Sequence, residues 1–406
     1  MKKNIILLIP QLRHGGAERV VSRLSFILNK EYNLKVVVFD DHNITYELGC
    51  DLINLEVPPI SEGRFIKKVF NILKRIYRYR VIKKKYNVDL TYSFGDTANI
   101  INIFSGLKDK KISSIRGFKR IRKKEGLKNI LILRPLSKFI LRNSDSIVSV
   151  SELITQTLVK EYELPADKIE TIYNGYNIDK ITELSQENIT DKTKLIFKDR
   201  RVLITAGTFR QEKGYWHLLK AFYILRKKHE NLQLVILGTD YNNYKERIVN
   251  LAKKLNVSEH VHMLGYQDNP FKFIAKSDIY LLSSVFEGFP NALVEAMACG
   301  IPVVAADCES GPREIISPKS NIFETLQNFE KEEFGILVER LNKEENFDHT
   351  YFDSGDYGLV NGVEELIEDA KLQEYYSKKS LERARKFSND EWKKKNQKLI
   401  NQLLYG

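Results

Sequence analysis

Glu287-Gly288-Phe289-Pro290-Asn291-Ala292-Leu293-Val294-Glu295-Ala296-Met297-Ala298-Cys299-Gly300-Ile301-Pro302-Val303-Val304 is the run whose reading decides the fold of this chain. An apolar strand at residues 278–284 leads into it, and Gly288 and Pro290 then impose a turn. A helix is predicted from about Asn291, Gly300 stops it, and residues 302–306 form the next apolar strand. A helix that starts after a Gly/Pro loop offers unpaired N–H groups and the positive end of a dipole, a setting that suits a phosphate or diphosphate. Glu287 and Glu295 bracket that helix start. Ionised carboxylates only accept hydrogen bonds, so they suit hydroxyl-rich groups on either side of the anion. An anion flanked by two polyols describes a sugar nucleotide.

The Glu-x7-Glu pair of Glu287 and Glu295 is weak by itself. Joined to Gly288, Pro290, Ala296, Gly300, Pro302 and the run Ser310-Gly311-Pro312-Arg313-Glu314, it resembles the signature of the large retaining glycosyltransferase family 4. The resemblance implies an α/β chain of GT-B architecture, with two facing Rossmann-like doubly wound domains and a C-terminal helix crossing back to the first. It also implies transfer from a nucleoside-diphosphate sugar, a UDP-sugar, to a cell-surface or lipid-linked glycan. An ordinary βαβ unit with surface glutamates does not account for Gly and Pro at these places. A catalytically silent GT-B subunit acting as a scaffold, and a UDP-sugar 2-epimerase, are the other readings.

The 406 residues suffice for two buried cores. Apolar runs of strand length alternate with helix-length segments at residues 4–9, 34–39, 90–94, 111–115, 146–150 and 169–173, then at 201–206, 233–237, 261–264, 279–283, 302–306 and 335–338. That alternation is the pattern of parallel sheets covered on both faces. The turn-rich segment Asn174-Gly175-Tyr176-Asn177-Ile178-Asp179 precedes a polar stretch and marks the boundary. The expected domains are therefore 1–180, binding acceptor, and 181–388, binding the sugar nucleotide. The amphipathic segment 389–406 is expected to pack back on the first domain. Residues 321–357 look like an insertion without an assigned role.

Cys50, Cys299 and Cys308 form no C-x-x-C spacing, which argues for reduced thiols in a cytoplasmic setting and against a zinc site. The N-terminal apolar run ends at Pro10, too short for a leader or a span, and reads as a strand. The net charge of +12 is uneven. Residues 1–180 hold 33 Lys and Arg against 19 Asp and Glu, while the remainder holds 32 against 34. Residues 64–85 carry ten basic and no acidic side chains, and residues 108–128 carry ten against two.

Two further Gly-containing loops follow first strands. Gly15 and Gly16 allow close approach of a ligand, and the resemblance places them beside the donor diphosphate. His14 before them reads as a loop histidine. In Gly207-Thr208-Phe209-Arg210-Gln211-Glu212-Lys213-Gly214, the resemblance assigns Arg210 and Lys213 to the leaving diphosphate. Fixed cations aimed at developing charge lower the barrier without a metal. The family's Arg usually follows the first Gly directly; Thr208 stands there, and Arg210 takes over two positions later.

Carried over in the same way, Glu287 accepts from donor-sugar hydroxyls and Glu295 holds the ribose. Gly288, Phe289, Pro290, Asn291 and Ala292 form the donor-binding turn, which faces the diphosphate or the sugar, and Tyr266 lies at the nucleobase. Arg116 occupies the loop where the family often has a His, a departure. No D-x-D pair stands at a strand end, so transfer without metal or other cofactor is expected.

Phe65, Ile66, Val69, Phe70, Leu73, Ile76 and Tyr77 recur at helical spacing among lysines and arginines. Such a helix either rests on anionic lipid or turns its apolar stripe into the domain core. Peripheral contact with the inner face of the cell membrane is one expectation. Nucleic acid is not expected, because no recognition module accompanies the charge.

Overall fold

The computed structural model describes all residues except Met1, His14, 59–64 and 118–133. Arg64, the His14 reading and much of the basic stretch 108–128 therefore lie outside the described residues. The chain forms two compact units, Met1–Gly175 with Asp390–Gly406, and Tyr176–Asn389.

The first unit is built on β1 (Asn4–Ile9), β2 (Asn33–Val38), β3 (Asp51–Asn54), β4 (Leu90–Phe94), β5 (Lys110–Ile115), β6 (Ser146–Ser149) and β7 (Ile169–Thr171). They pair in the order β3-β2-β1-β4-β5-β6-β7, all parallel. Strand side chains alternate faces, and β1 shows the result. Ile5, Leu7 and Ile9 enter one core, Ile6 and Leu8 the other. The first core also takes Trp392, Leu399 and Ile400 from the terminal helix Asn389–Tyr405. Trp392 lies against Gly175, where an added Cβ would fall 2.6 Å from the tryptophan's own Cβ. Tyr32 Oη donates to Asn401 Oδ1 at 2.8 Å on the same helix.

The second core receives the helix Phe65–Lys85, and here packing splits the apolar stripe. Tyr79, Ile76 and Ile82 turn inward, accompanied by buried Arg75 and Lys83. Phe70, Leu73 and Tyr77 turn outward, 66%, 58% and 69% exposed. Arg75 lies over the Phe39 ring and donates to the Val57 carbonyl. Lys83 pairs with buried Asp109 at 2.8 Å; burial lowers its pKa to about 8, against the pull of that carboxylate.

The second unit contains β8 (Arg201–Ala206), β9 (Leu232–Leu237), β10 (Val261–Gly265), β11 (Ile279–Leu282), β12 (Val303–Ala306), β13 (Phe329–Glu332) and β14 (Gly335–Val338). Their order is β10-β9-β8-β11-β12-β14-β13, parallel except for the antiparallel β13–β14 edge. Order reverses between β1 and β4 in one sheet and between β8 and β11 in the other, the topology of two doubly wound sheets.

Residues 321–357 acquire a structural role. They carry the β13–β14 hairpin and a loop whose Phe347 and Phe352 pack on the core beside the helix Tyr215–Lys228. Buried His217 holds both sides of that loop, with Nδ1 2.6 Å from Asp356 Oδ1 and Nε2 2.9 Å from the Asn342 carbonyl.

Candidate functional site

In open α/β sheets, ligands bind beyond the strand C-termini where the strand order reverses. In the second unit this point lies between Ala206 and Leu282, and the loops leaving both strands carry the residues singled out above.

After β8 the chain runs through Gly207 to a 3-10 turn, Gln211–Lys213, and then to Gly214. Gly214 has φ +60°, and a Cβ there would lie 2.1 Å from the Ser283 carbonyl oxygen. Only glycine lets the two loops approach this closely. They are then stitched together, because Val285 N–H donates to Glu212 O at 2.9 Å and Ser283 Oγ donates to Lys213 O at 2.9 Å.

The stitching brings Lys213 Nζ to 2.7 Å from Glu287 Oε1, and Ser284 Oγ donates to the same oxygen at 2.7 Å. Neither side chain is fully solvated; Lys213 is 24% and Glu287 11% exposed. Among the described residues Glu287 Oε2 accepts no hydrogen bond, and Lys213 makes no second one. The pair thus keeps one acceptor and further ammonium N–H groups for a ligand, with each group's direction set by the other. Glu287 also raises the neighbourhood's cost for negative charge. The buried Cys308 thiol is pushed well up, first by burial and then by that carboxylate, and Tyr215 is raised for related reasons.

Beyond the pair, Gly288, Phe289 and Pro290 form the turn, and the helix Asn291–Ala298 begins with Pro290 at its N-cap, which offers no side-chain acceptor. The run Ser310–Glu314 is the scaffold of this turn. Ser310 Oγ donates to the Gly288 carbonyl at 2.7 Å. Gly311, at φ +95°, leaves room for Pro290, whose Cδ an added Cβ would approach to 2.3 Å. Arg313 grips Asp307 through Nε and Nη2, the shortest contact 2.7 Å, both buried. Glu295 is buried one helical turn into Asn291–Ala298, while Asn291 and Ala292 are half-buried at its start.

Arg210 and Tyr266 stand apart from the pair. The Arg210 guanidinium is exposed and lies over the Tyr241 ring at 4.0 Å, and it forms no ion pair among the described residues. Tyr266 is 53% exposed and follows Gly265, whose carbonyl accepts from Gly238 N–H. In the first unit Gly15 precedes the helix Gly16–Leu28 after β1, and Tyr46 Oη donates to the Gly15 carbonyl. Arg116 follows β5, and its guanidinium donates to Asn174 Oδ1. Ser283 and Ser284 are contributions that sequence reasoning missed, their only signal being their position beside a Gly-containing loop; Ser310 stood in the signature run, but its bond to the Gly288 carbonyl was not foreseen.

Among the described residues, two groups of acidic and His side chains lie close enough together to consider as metal ligands, Asp40 with Asp41 and His42, and His217 with Asp353 and Asp356. In the second, both His217 nitrogens are engaged and Asp353 and Asp356 cap the helix Ser354–Glu368, an arrangement already satisfied as structure.

The model for "Glycosyl transferases group 1" matches residues 186–351, and that for "Glycosyltransferase Family 4" matches residues 14–180. An uncharacterized glycosyltransferase of Methanocaldococcus jannaschii is 32% identical over 340 residues, spanning 80% of this chain and 83% of the relative. An N-acetylgalactosamine-N,N'-diacetylbacillosaminyl-diphospho-undecaprenol 4-alpha-N-acetylgalactosaminyltransferase of Campylobacter jejuni is 29% identical over 388 residues, 94% of each chain. Among solved structures, Anabaena HepE in complex with UDP and glucose superposes with a TM-score of 0.75 at 16% identity, over 99% of this chain and 100% of that one.

Proposed function

This chain belongs to glycosyltransferase family 4, with the GT-B fold, and from that premise we propose the particulars of its reaction: a UDP-sugar donor, retention of anomeric configuration, no metal, and a lipid-linked or cell-surface glycan as acceptor. It is a glycosyltransferase of glycan biosynthesis; the donor, stereochemistry and acceptor are proposed. The observation that carries the reading is the Lys213–Glu287 pair set beside the start of the helix Asn291–Ala298.

In this reading the donor diphosphate lies at that helix start, where the backbone N–H groups of Phe289, Asn291 and Ala292 face it. Lys213 and Arg210 neutralise the charge that grows on the diphosphate as its bond to the sugar breaks. Arg210 reaches the diphosphate by leaving the Tyr241 ring. Glu287 Oε2 accepts from a sugar hydroxyl, Glu295 from the ribose, and Tyr266 contacts the base. The acceptor oxygen attacks the anomeric carbon on the face the diphosphate leaves, and its proton passes to a departing phosphate oxygen. No side chain is required as nucleophile. Two cations and a helix dipole supply what a divalent ion would otherwise supply.

The acceptor reading draws on the Campylobacter relative, whose name specifies a diphospho-undecaprenol-linked substrate, and on the positive charge concentrated in residues 1–180. The outward row Phe70, Leu73 and Tyr77, with Lys67, Lys68 and Lys74 also exposed, suits peripheral contact with an anionic membrane. No helix among the described residues is long and apolar enough to cross a membrane.

A panel of UDP- and GDP-sugars tested by thermal shift decides the donor, since a bound donor raises apparent stability by mass action. A UDP-sugar should raise Tm in the presence of chelator. A panel in which no nucleotide sugar shifts Tm refutes the reading, and a requirement for metal refutes that part of it.

A further inference from the structure

Asn174-Gly175-Tyr176 marked a boundary in the sequence, and the structure gives its tyrosine a second position of interest. The chain passes between the compact units at Gly175–Tyr176 and again at Asn389–Asp390. Tyr176 holds the two passages together on the second unit's side. Its N–H donates to Phe387 O at 2.9 Å, and its carbonyl accepts from Asn389 N–H at 2.8 Å. Its side chain is wholly buried, yet the phenol reaches the donor turn, where Oη donates to Asn291 Oδ1 at 2.5 Å. Phe387 touches the same turn, its ring meeting that of Phe289 edge-on at 5.6 Å. Arg383 lies over Phe387 at 4.7 Å and donates to the carbonyls of Glu314 and Ile315, behind the Ser310–Glu314 scaffold.

We propose that Tyr176 is a positioning residue for the donor diphosphate, acting through the side-chain amide of Asn291. A carboxamide has an accepting end and a donating end, and a phenol that donates to it determines which is which. With Oδ1 held by Tyr176, the N–H2 end turns the other way, at the first residue of a helix whose backbone N–H groups already favour an anion. Asn291 thereby adds a side-chain donor to the backbone set, oriented by a residue outside the Glu-x7-Glu run. Rigid placement matters because a donor that must reorient on binding loses part of its contribution. The inference rests on the donor reading above.

The test is a titration of purified protein with UDP by calorimetry, with GDP as a parallel probe, for wild type, Y176F, N291A and the Y176F/N291A double variant. Y176F removes one hydroxyl and should weaken UDP binding roughly five- to tenfold, with donor KM rising in proportion and kcat within about twofold. N291A should lose at least as much, and the double variant should bind no more than about twofold worse than N291A, because the two act as one unit.

Asn291→Asp supplies a readout that simple destabilisation would not give. It keeps an acceptor for Tyr176 and places a carboxylate at a helix N-terminus, so Tm should hold or rise while UDP binding falls more than tenfold. It also keeps the proposal testable should Y176F fail to fold. Wild-type affinity in Y176F, independent losses that multiply in the double variant, or undiminished UDP binding by Asn291→Asp each overturn the assignment. Wild type that binds neither UDP nor GDP overturns the donor reading itself, and this inference with it.

Discussion

Replacing Lys213 by Met, a side chain of similar length without charge, tests how the site divides its work. Lys213 Nζ and Glu287 Oε1 are 2.7 Å apart, and at an effective dielectric of about 20 their attraction is roughly 6 kcal/mol before desolvation is counted. Breaking a wholly buried pair costs roughly 3–5 kcal/mol. The exposure of Lys213, 24%, and the Ser284 bond that Glu287 keeps reduce the stability cost to about 2 kcal/mol.

The effect on catalysis should be larger than that on folding. Without Lys213, Glu287 presents an uncompensated negative charge to a diphosphate that gains negative charge as the bond breaks. Turnover should fall at least ~100-fold, equivalent to about 2.7 kcal/mol of transition-state stabilisation. Glu287→Ala should produce a loss of similar size. In the double variant K213M/E287Q both charges are gone, so its Tm should exceed that of K213M and its turnover should lie less than about tenfold below it. The assay is product formation from the donor identified by thermal shift, with Tm measured on the same samples. Near-wild-type turnover in K213M, or losses that multiply fully in the double variant, would refute the claim that the pair acts as a unit on the donor.

Three other outcomes follow from the structure. Vesicle flotation should show binding to anionic and not neutral liposomes, with F70E/Y77E abolishing it and leaving Tm unchanged, since both side chains face outward; equal binding to both vesicle types would remove the membrane reading. Lys83→Met should cost about 3 kcal/mol by leaving Asp109 buried beside only the more distant Lys111, and K83M/D109L should recover most of it. Because folding lowers the Lys83 pKa from 10.5 to about 8, the unfolded chain binds more protons between those values. Wild-type stability relative to K83M/D109L should therefore rise as pH rises from about 8 to 10, and a flat or falling difference in denaturant titrations would contradict the pair's burial. Cysteine alkylation followed by mass spectrometry should be slow in the native state at pH 8. Burial, with Asp51 adding to it, pushes the Cys50 thiol up to about 11, leaving roughly a thousandth as thiolate, and Cys299 and Cys308 are pushed further; rapid native labelling of Cys308 would be inconsistent with its placement.

Most strands were legible because they are short apolar runs flanked by turns, and twelve of the fourteen among the described residues coincide with runs read from the sequence to within a residue or two. The two that escaped, β3 (Asp51-Leu52-Ile53-Asn54) and β13 (Phe329-Glu330-Lys331-Glu332), lie at sheet edges, where half the side chains face water and no apolar run is needed. The helix Phe65–Lys85 shows a different limit. Its spacing announced an apolar stripe but could not say that Arg75 and Lys83 would be taken inside while Phe70 and Tyr77 were left out. That choice is made by partners distant in sequence, the Phe39 ring, the Val57 carbonyl and Asp109.

The turn from Gly288 to Asn291 was legible from its Gly and Pro punctuation. How it is supported was not, because Ser284, Ser310 and Tyr176 act through contacts that chain order does not reveal. Arg210 was chosen as the partner of Lys213, yet in the structure it rests on Tyr241, and no pattern in the sequence predicts that ring.

The central claim, that the turn from Glu287 to Asn291 receives the donor diphosphate, is tested most directly by amide hydrogen exchange with and without saturating UDP. Protection should appear at Phe289, Asn291 and Ala292 and in the 207–214 loop, and Lys213→Met should weaken it. Tight UDP binding that leaves exchange at residues 287–293 unchanged would contradict it.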